Sequence, residues 1–417
     1  MEMKKSFSNP GCRPFEKRIY LSSPTMHGEE LAFIQQAFDA NWVSTIGENI
    51  DRVEAQMEDF TGKPFAVAIG SGTAALHMAI RACAVKMYGM PRHPASSLEG
   101  KRVFCSDLTF AASVNPILYE GGEPVLIDSD YETWNMDPEA LERAFQIYPD
   151  VKLVVLVHLY GTPAKLDQIL EICRRHGALL VEDAAESLGA SYRGKQTGSF
   201  GDISVISFNG NKIITGSCGG VLLCDNEETM RQVRKWSTQS REPAAWYQHK
   251  ELGYNYRMSN LVAGVIRGQF PWLADHIERK RHIYEVYREG LKGLPLTMNP
   301  YDSDTSMPNH WLSCVLIDRE AMCQQIRTDS TATYVAEAGK SCPTRILEEL
   351  AALNAEGRPI WKPIHLQPIY ARFPYITAGI NSDVSTDLFV RGLCLPSDIK
   401  MTDDQIAQII AAVWRSF

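Results

Sequence analysis

The chain has no CxxC pair, although ten cysteines are scattered along it, at 12, 83, 105, 173, 218, 224, 314, 323, 342 and 394. Without paired spacing, a disulfide framework or a zinc site gives way to reduced, mostly buried thiols, as expected of a cytoplasmic protein. No apolar run approaches the ~18 residues that a membrane helix needs. The opening segment MEMKKSFSNPGCRPFEKR contains no apolar stretch of the kind a secretory signal carries. Positive charge is also in deficit: 42 Lys and Arg stand against 50 Asp and Glu, a net charge of −8 with a pI near 5.8. That balance argues against nucleic acid, which calls for a basic face. Internal repeats and low-complexity tracts are missing too. What remains is ordinary globular composition, 45% hydrophobic and 22% charged. At 417 residues the chain exceeds one ordinary core. We expect a large domain over residues 1–281 and a smaller α+β domain over 282–417.

The hydrophobic pattern alternates between strand and helix. Candidate strands are Phe65–Ile69, Val103–Cys105, Val125–Ile127, Leu153–Leu159, Ala178–Val181, Ile203–Phe208 and Val221–Cys224. Between them helical spacing is expected over Gly72 to about Met87, from Ala111 and over Lys165–His176; two further helices, Gly28–Ala40 and Ile50–Phe60, precede the first strand. Leu153–Leu159 is nearly continuous in apolar residues, as a central strand covered on both faces would be. Seven strands alternating with helices predict an α/β layer fold with a mostly parallel sheet. Ile19–Pro24 is expected to be extended, Lys86–Lys101 a long surface loop, and Asn260–Leu291 a long helix broken at Pro271.

Four stretches carry chemistry. In SFNGNKIITGSCGG, from Ser207 to Gly220, a strand ends in a turn that presents Lys212 among uncharged neighbours, one way to keep an amine nucleophilic. Taken alone, Lys212 would be a surface lysine on a hairpin. Gly70-Ser71-Gly72-Thr73 follows a strand and opens a helix, which suits a phosphate cradle but also an ordinary strand-to-helix turn. Leu179–Glu186, LLVEDAAE, puts Asp183 at the end of a buried strand, where an aspartate can hold a pyridine nitrogen protonated or can simply cap the next segment. Phe110 follows another strand, placed either to lie on a cofactor ring or to fill the core. Cradle, acid, aromatic and lysine together make sense as a pyridoxal-phosphate site.

On these residues, and on the runs VHLYGTPAK, VEDAAESLGA, FNGNKIIT and GYNYRMSN, the chain resembles the DegT-type sugar-nucleotide aminotransferases. These are a branch of the aspartate-aminotransferase, or type I, pyridoxal-phosphate fold. The likeness covers nearly the whole chain and is strongest to members that aminate C4 of UDP-linked 2-acetamido-4-keto-6-deoxy sugars, on the way to bacillosamine-type glycans. It implies a mixed seven-stranded sheet with flanking helices, pyridoxal 5′-phosphate as cofactor, glutamate as amino donor and a homodimer with shared sites. It implies further that Lys212 holds the cofactor and shuttles the proton, and that Asp183 faces the pyridine nitrogen. Glu186 would lie near the ring and Phe110 would stack on it. Gly72, Thr73 and Ser207 would bind the phosphate, and Asn255 would reach the phosphate of the neighbouring subunit. Asn41, Trp42, Val43 and Ser44, with Trp361, Lys362 and His365, would contact the nucleotide-sugar. Arg257 and Lys362 are the cations expected on its diphosphate. Gly216-Ser217-Cys218 departs from the family pattern beside Lys212. A dTDP- or GDP-4-keto sugar is the competing substrate, and a non-enzymatic regulator of the same fold the competing class. Related dehydratases lack the lysine, so Lys212 speaks against that activity.

Overall fold

The computed structural model describes residues 13–91, 93, 96–379 and 382–417. Cys12 and the segment before it, and residues 92, 94 and 95 of the expected Lys86–Lys101 loop, lie outside the described set.

All seven expected strands form: β1 (Phe65–Ile69), β2 (Arg102–Ser106), β3 (Glu123–Ile127), β4 (Leu153–Val157), β5 (Leu179–Asp183), β6 (Ile203–Ser207) and β7 (Gly220–Cys224). They join in the order β1-β7-β6-β5-β4-β2-β3. β7 is antiparallel to both β1 and β6, and β2 to β6 run parallel to one another. All five residues of β4 are buried, as its unbroken LVVLV run requires when helices cover both faces. The strand pleat sorts side chains between the two layers. In β1, Val67 and Ile69 enter a cluster built on helix α1 (Gly72–Tyr88), while Ala66 and Ala68 turn to the opposite face with Ile50, Val53 and Met57.

The sheet has an eighth member. Tyr375–Ile376 adds in parallel to the free edge of β3. Residues far beyond 282 thus extend the large sheet, a long-range pairing that two residues of sequence cannot announce. Other local differences are physical in origin. Asn260–Leu291 divides into α2 (Asn260–Gln269) and α3 (Leu273–Gly290) at a 3-10 turn, Phe270–Trp272, because Pro271 lacks the N–H that a continuous helix needs. The expected helix from Ala111 is only a 3-10 turn, Ala111–Ser113, followed by the short helix Asn115–Tyr119. Ile19–Pro24 pairs through a single bridge, Ile19 with Ala355. Lys86 to Tyr88 belong to α1 rather than to the loop.

A second hydrophobic cluster gathers Ile283, Tyr287, Val315, Ile317, Leu393 and Val413, and draws in Phe15 and Ile19 from the N-terminal end. Its four-stranded antiparallel sheet runs Leu296–Met298, Cys314–Ile317, Gly392–Cys394, Arg358–Pro359. Helix α4 (Asp403–Arg415) closes this layer, its start fixed by a capping box between Thr402 and Gln405. No described helix is long and apolar enough to cross a membrane.

Candidate active site

The carboxyl ends of β4, β5 and β6 finish on one edge of the sheet, the place where open α/β sheets bind ligands. A cavity of about 370 Å³ opens there. Its floor is acidic. Asp183, the last residue of β5, is buried, with Oδ2 accepting from Ser113 Oγ (2.7 Å) and Oδ1 from the Ala185 amide (3.1 Å). Burial pushes this carboxyl up, and the two hydrogen bonds only partly offset that, so it stands in need of a positive partner. Its neighbour Glu182 points to the other face of β5 and meets the opposite environment. Burial raises it, but the hydrogen bonds from His158 and from the Gly198 and Gly201 amides more than compensate and hold it down to about 2. That pair braces the strand from behind.

Lys212 enters from the turn after β6. Its amide donates to Asn209 O (3.0 Å), and Gly216 N–H donates to Phe208 O (2.9 Å), which closes the loop. Lys212 Nζ lies 3.6 Å from Glu186 Oε1 and 4.3 Å from the centre of the Trp311 ring. Glu186 Oε2 accepts from the Tyr160 amide at 2.8 Å. Burial lifts the Glu186 carboxyl more than Lys212 lowers it. Tyr160 presents that amide by adopting φ +53°, and Gly161 beside it has φ +90°, where a Cβ would strike Asn309 Oδ1. The lysine is therefore held between a carboxylate and an aromatic face, over the acidic floor.

The third wall is the start of α1. Ser71 caps the helix, its Oγ accepting from the Ala74 amide. A Cβ on Gly72 would come 2.9 Å from Ser207 Cβ and Oγ, so only glycine lets the helix start approach the tip of β6. Gly72, Thr73 and Ser207 all line the cavity there, at a helix N-terminus with its free amides and positive dipole end. Phe110 stands at the mouth, 53% exposed, with its ring 5.0 Å from that of Trp361.

Of the residues expected from sequence, Lys212, Asp183, Glu186, Phe110, Gly72, Thr73, Ser207 and Trp361 converge on this cavity. The others stand elsewhere in the single chain. Asn41 to Ser44 form an exposed turn whose Trp42 and Ser44 carbonyls are held by Asn260. Asn255 is exposed and bridges to Thr238. Arg257 is not a free cation: it donates to Glu54 (2.6 Å) and to Ala68 O (2.9 Å) at the end of β1. Lys362 follows Trp361 without joining the lining. His365 is spent inside the fold, its amide and Nδ1 on the Asp107 carboxylate and Nε2 on Thr386 Oγ1. It stacks on Tyr375 and fastens the Trp361 segment to the end of β2 rather than facing a ligand.

Several residues have no signal in the sequence. Trp311, just before the strand Cys314–Ile317, and Arg358, on the edge strand Arg358–Pro359, reach the cavity from about a hundred residues or more beyond Lys212. Ser113, three residues after Phe110, gains a role only through its bond to Asp183, 70 positions further along the chain. Asn211 Oδ1 and Trp361 Nε1 are buried without a hydrogen-bond partner among the described residues.

Comparison with known proteins agrees with this geometry. The sequence pattern of the DegT/DnrJ/EryC1/StrS aminotransferase family matches residues 24–414. EpsN of Bacillus subtilis (strain 168), whose assignment as a pyridoxal phosphate-dependent aminotransferase is itself provisional, is 40% identical over 407 residues, 96% of each chain. The GDP-perosamine synthase of Caulobacter vibrioides is 32% identical over 400 residues, 95% of this chain and 97% of that one. Among solved structures, Helicobacter pylori PseC, an aminotransferase involved in the biosynthesis of pseudoaminic acid, superposes with a TM-score of 0.81 at 19% identity, over 96% of this chain and 99% of that one. The chain belongs to the DegT/DnrJ/EryC1/StrS aminotransferase family and is a pyridoxal phosphate-dependent sugar aminotransferase.

Proposed function

We propose that the enzyme moves the amino group of glutamate to C4 of a UDP-linked 2-acetamido-4-keto-6-deoxy sugar. The observation that carries the reaction class is the placing of Lys212 Nζ 3.6 Å from Glu186, over the floor of a cavity that also holds Asp183 and the start of α1. The residues present fit pyridoxal phosphate. The Gly72–Ser207 approach leaves no room for a side chain, only for small groups and backbone amides, as a phosphate cradle needs. Lys212 offsets the burial of Asp183 only in part, and a protonated ring nitrogen would supply the direct cationic partner. Bound there, the cofactor supplies an electron sink for the amino carbon.

Each residue then has a task. Gly72, Thr73 and Ser207 bind the phosphate, and Asp183, oriented by Ser113 and Ala185, keeps the ring nitrogen charged. Phe110 covers the ring from the mouth. Lys212 carries a proton to and from the reacting carbon, and Glu186 steadies its ammonium between transfers. At the rim, Trp361 offers an unpaired Nε1 to the sugar, and Arg358, an exposed cation paired with Glu356 at 2.7 Å, meets the diphosphate in place of Arg257. Lys362 is kept as a further rim cation.

Asn255 and the Asn41–Ser44 turn, exposed in one chain, act in this reading on the site of a second copy, which makes the enzyme a homodimer. The division at 281/282 is kept as the boundary between the cofactor-binding domain and a smaller domain that carries Trp311, Arg358 and Trp361. A GDP-linked 4-keto sugar is the second reading, favoured by the identity to GDP-perosamine synthase over almost the full length. Turnover of UDP-, GDP- and dTDP-linked 4-keto-6-deoxy sugars with glutamate, with product structure by NMR, tests both. Preference for the UDP-acetamido sugar supports the first. Equal or better turnover of the GDP sugar replaces it with the second.

A further inference from the structure

Behind the cavity lies a buried cation that the proposed chemistry does not use. Lys280, on α3, is 3% exposed and touches no carboxylate among the described residues. Its ammonium donates to Trp311 O (2.9 Å), Ser397 O (2.6 Å) and Ser22 Oγ (3.1 Å), so all three of its hydrogens are used. Two of those partners lead to one atom. Ser22 Oγ donates to Asn211 O at 3.0 Å, and Trp311 Nε1 donates to the same carbonyl at 2.7 Å. Asn211 immediately precedes Lys212, and the Trp311 ring lies under the Lys212 ammonium. Ser22, Lys212, Thr215, His276 and Lys280 line one narrow gap behind the loop.

We propose that Lys280 is a positioning residue for Lys212: it fixes Ser22 and Trp311, which together pin the Asn211 carbonyl and so set where the reactive amine stands. The inference rests on reading Lys212 as the reactive lysine. A charged lysine is suited to this because it donates three bonds and accepts none, which leaves the Ser22 hydroxyl free to point at Asn211 O. Its surroundings make that charge sensitive to pH. Burial lowers the Lys280 ammonium to about 7, against the raising effect of Asp398 and with the help of Lys400. His276, on the same helix, is bonded to Ile213 O and to His27, and Lys212 faces the gap from the cavity side. Loss of the proton above neutrality removes one donor, and the pinning of Asn211 weakens as pH rises.

The test uses the full-length enzyme and three variants, Ser22→Ala, Lys280→Met and Lys280→Arg. Borohydride labelling of the wild type is mapped first; a label on another lysine overturns the reading of Lys212, independently of Lys280. With the label on Lys212, Ser22→Ala should fold normally and lose about tenfold in kcat with KM for glutamate little changed, since small misplacement of a reacting group is costly. The penalty should shrink between about pH 6 and about pH 9, because the wild type itself loses the clasp over that range. Hydrogen exchange over residues 209–216 of the full chain should be about tenfold faster in Ser22→Ala and in Lys280→Met, a readout independent of turnover. Lys280→Arg should keep more of kcat than Lys280→Met, and adding Ser22→Ala to Lys280→Arg should give a penalty that does not change with pH, since guanidinium does not titrate in this range. Wild-type kcat in Ser22→Ala, a penalty flat with pH, or unchanged exchange in that variant overturns the inference even where Lys280→Met fails to fold.

Discussion

The floor of the cavity and its rim are built on different terms. The floor consists of strand ends and the turns just after them: Asp183 closes β5, Ser207 closes β6, and Lys212 follows five residues later. Asp183 and Ser207 are buried and Lys212 nearly so, and the floor is braced from behind, Asp183 by Ser113 and its strand by the Glu182–His158 pair. The rim is drawn from Phe110, Arg358 and Trp361, and its more distant candidates, Asn41 to Ser44 and Asn255, stand exposed in the single chain. A floor of this kind fixes the reaction, because the geometry of a proton transfer must be set before substrate arrives. A rim of loops from several parts of the chain suits substrate choice, which varies by changing a few contacts. The reaction class is thus secured by the floor, while the sugar is left to the rim.

The hardest way to break that distinction is at Lys212. Lys212→Ala should cost at least about 10³-fold in kcat, in the upper part of what a positioned proton-transfer group supplies. Steady-state turnover with glutamate checks the loss, and peptide mapping after borohydride reduction should find the cofactor on Lys212 in the wild type. A variant that still turns over within tenfold of the wild type removes Lys212 from the floor's chemistry. Asp183→Asn comes next. The amide should keep the cofactor but lower turnover by about 10²–10³-fold, as removal of one preorganised electrostatic partner does. Retained visible absorbance with lost turnover is the expected pair of results; near-native turnover would show that the ring nitrogen needs no charge at this position.

The floor should also be what makes the fold sensitive to acid. Glu182 is held at about 2 in the folded chain against about 4.5 for an ordinary glutamate. A depressed carboxyl stabilises the fold above its unfolded value and loses that contribution as pH falls toward its folded value. The window is therefore from about pH 5 down to about pH 2, and the full contribution is about 3 kcal/mol. Glu182→Gln should lower stability at neutral pH by about that amount, because its amide NH2 must face one of two donor sets, His158 and Gly198 at one oxygen or Phe200, Gly201 and Ser204 at the other. Urea unfolding at several pH values should show the two proteins converging as the acid window is crossed. Trp42→Ala, half exposed on the rim side, should change stability by less than about 0.5 kcal/mol.

What could be read from sequence follows the same line. The strands of the large sheet were legible because buried parallel strands write unbroken runs such as LVVLV, and the floor residues because they sit at the ends of those runs. Tyr375–Ile376 was not, since a two-residue edge strand is set by the partner it meets. Arg257 was read as a free cation because the sequence cannot show Glu54, some two hundred residues earlier, waiting 2.6 Å away. His365 was misread for a similar reason: its partner Asp107 lies 258 positions upstream. Trp311 and Lys280 carry no local pattern at all, and their roles arise only when the chain beyond the large sheet packs against it. Side chains that stand at strand ends could be placed from the pattern alone, and those whose role depends on a particular partner across the fold could not.

The smallest effect probes the rim directly. If Asn255 acts on the site of a second copy, Lys212→Ala and Asn255→Ala chains, each inactive alone, should complement one another. In a heterodimer, one site has lost both residues and the other has lost neither. Random re-pairing makes about half of the dimers hetero, each with one intact site of two, so about a quarter of the wild-type activity should return. The mixed sample must be unfolded and refolded together, or exchanged until mass spectrometry of the intact dimers shows that re-pairing is complete. Activity that stays at the level of the parents after complete exchange would place Asn255 outside any shared site. It would also leave the rim to Phe110, Arg358 and Trp361 of a single chain. Recovery near a quarter would explain why the exposed turn at Asn41–Ser44 and the exposed Asn255 lie away from the cavity of their own chain: the floor is made by one chain, and the rim by two.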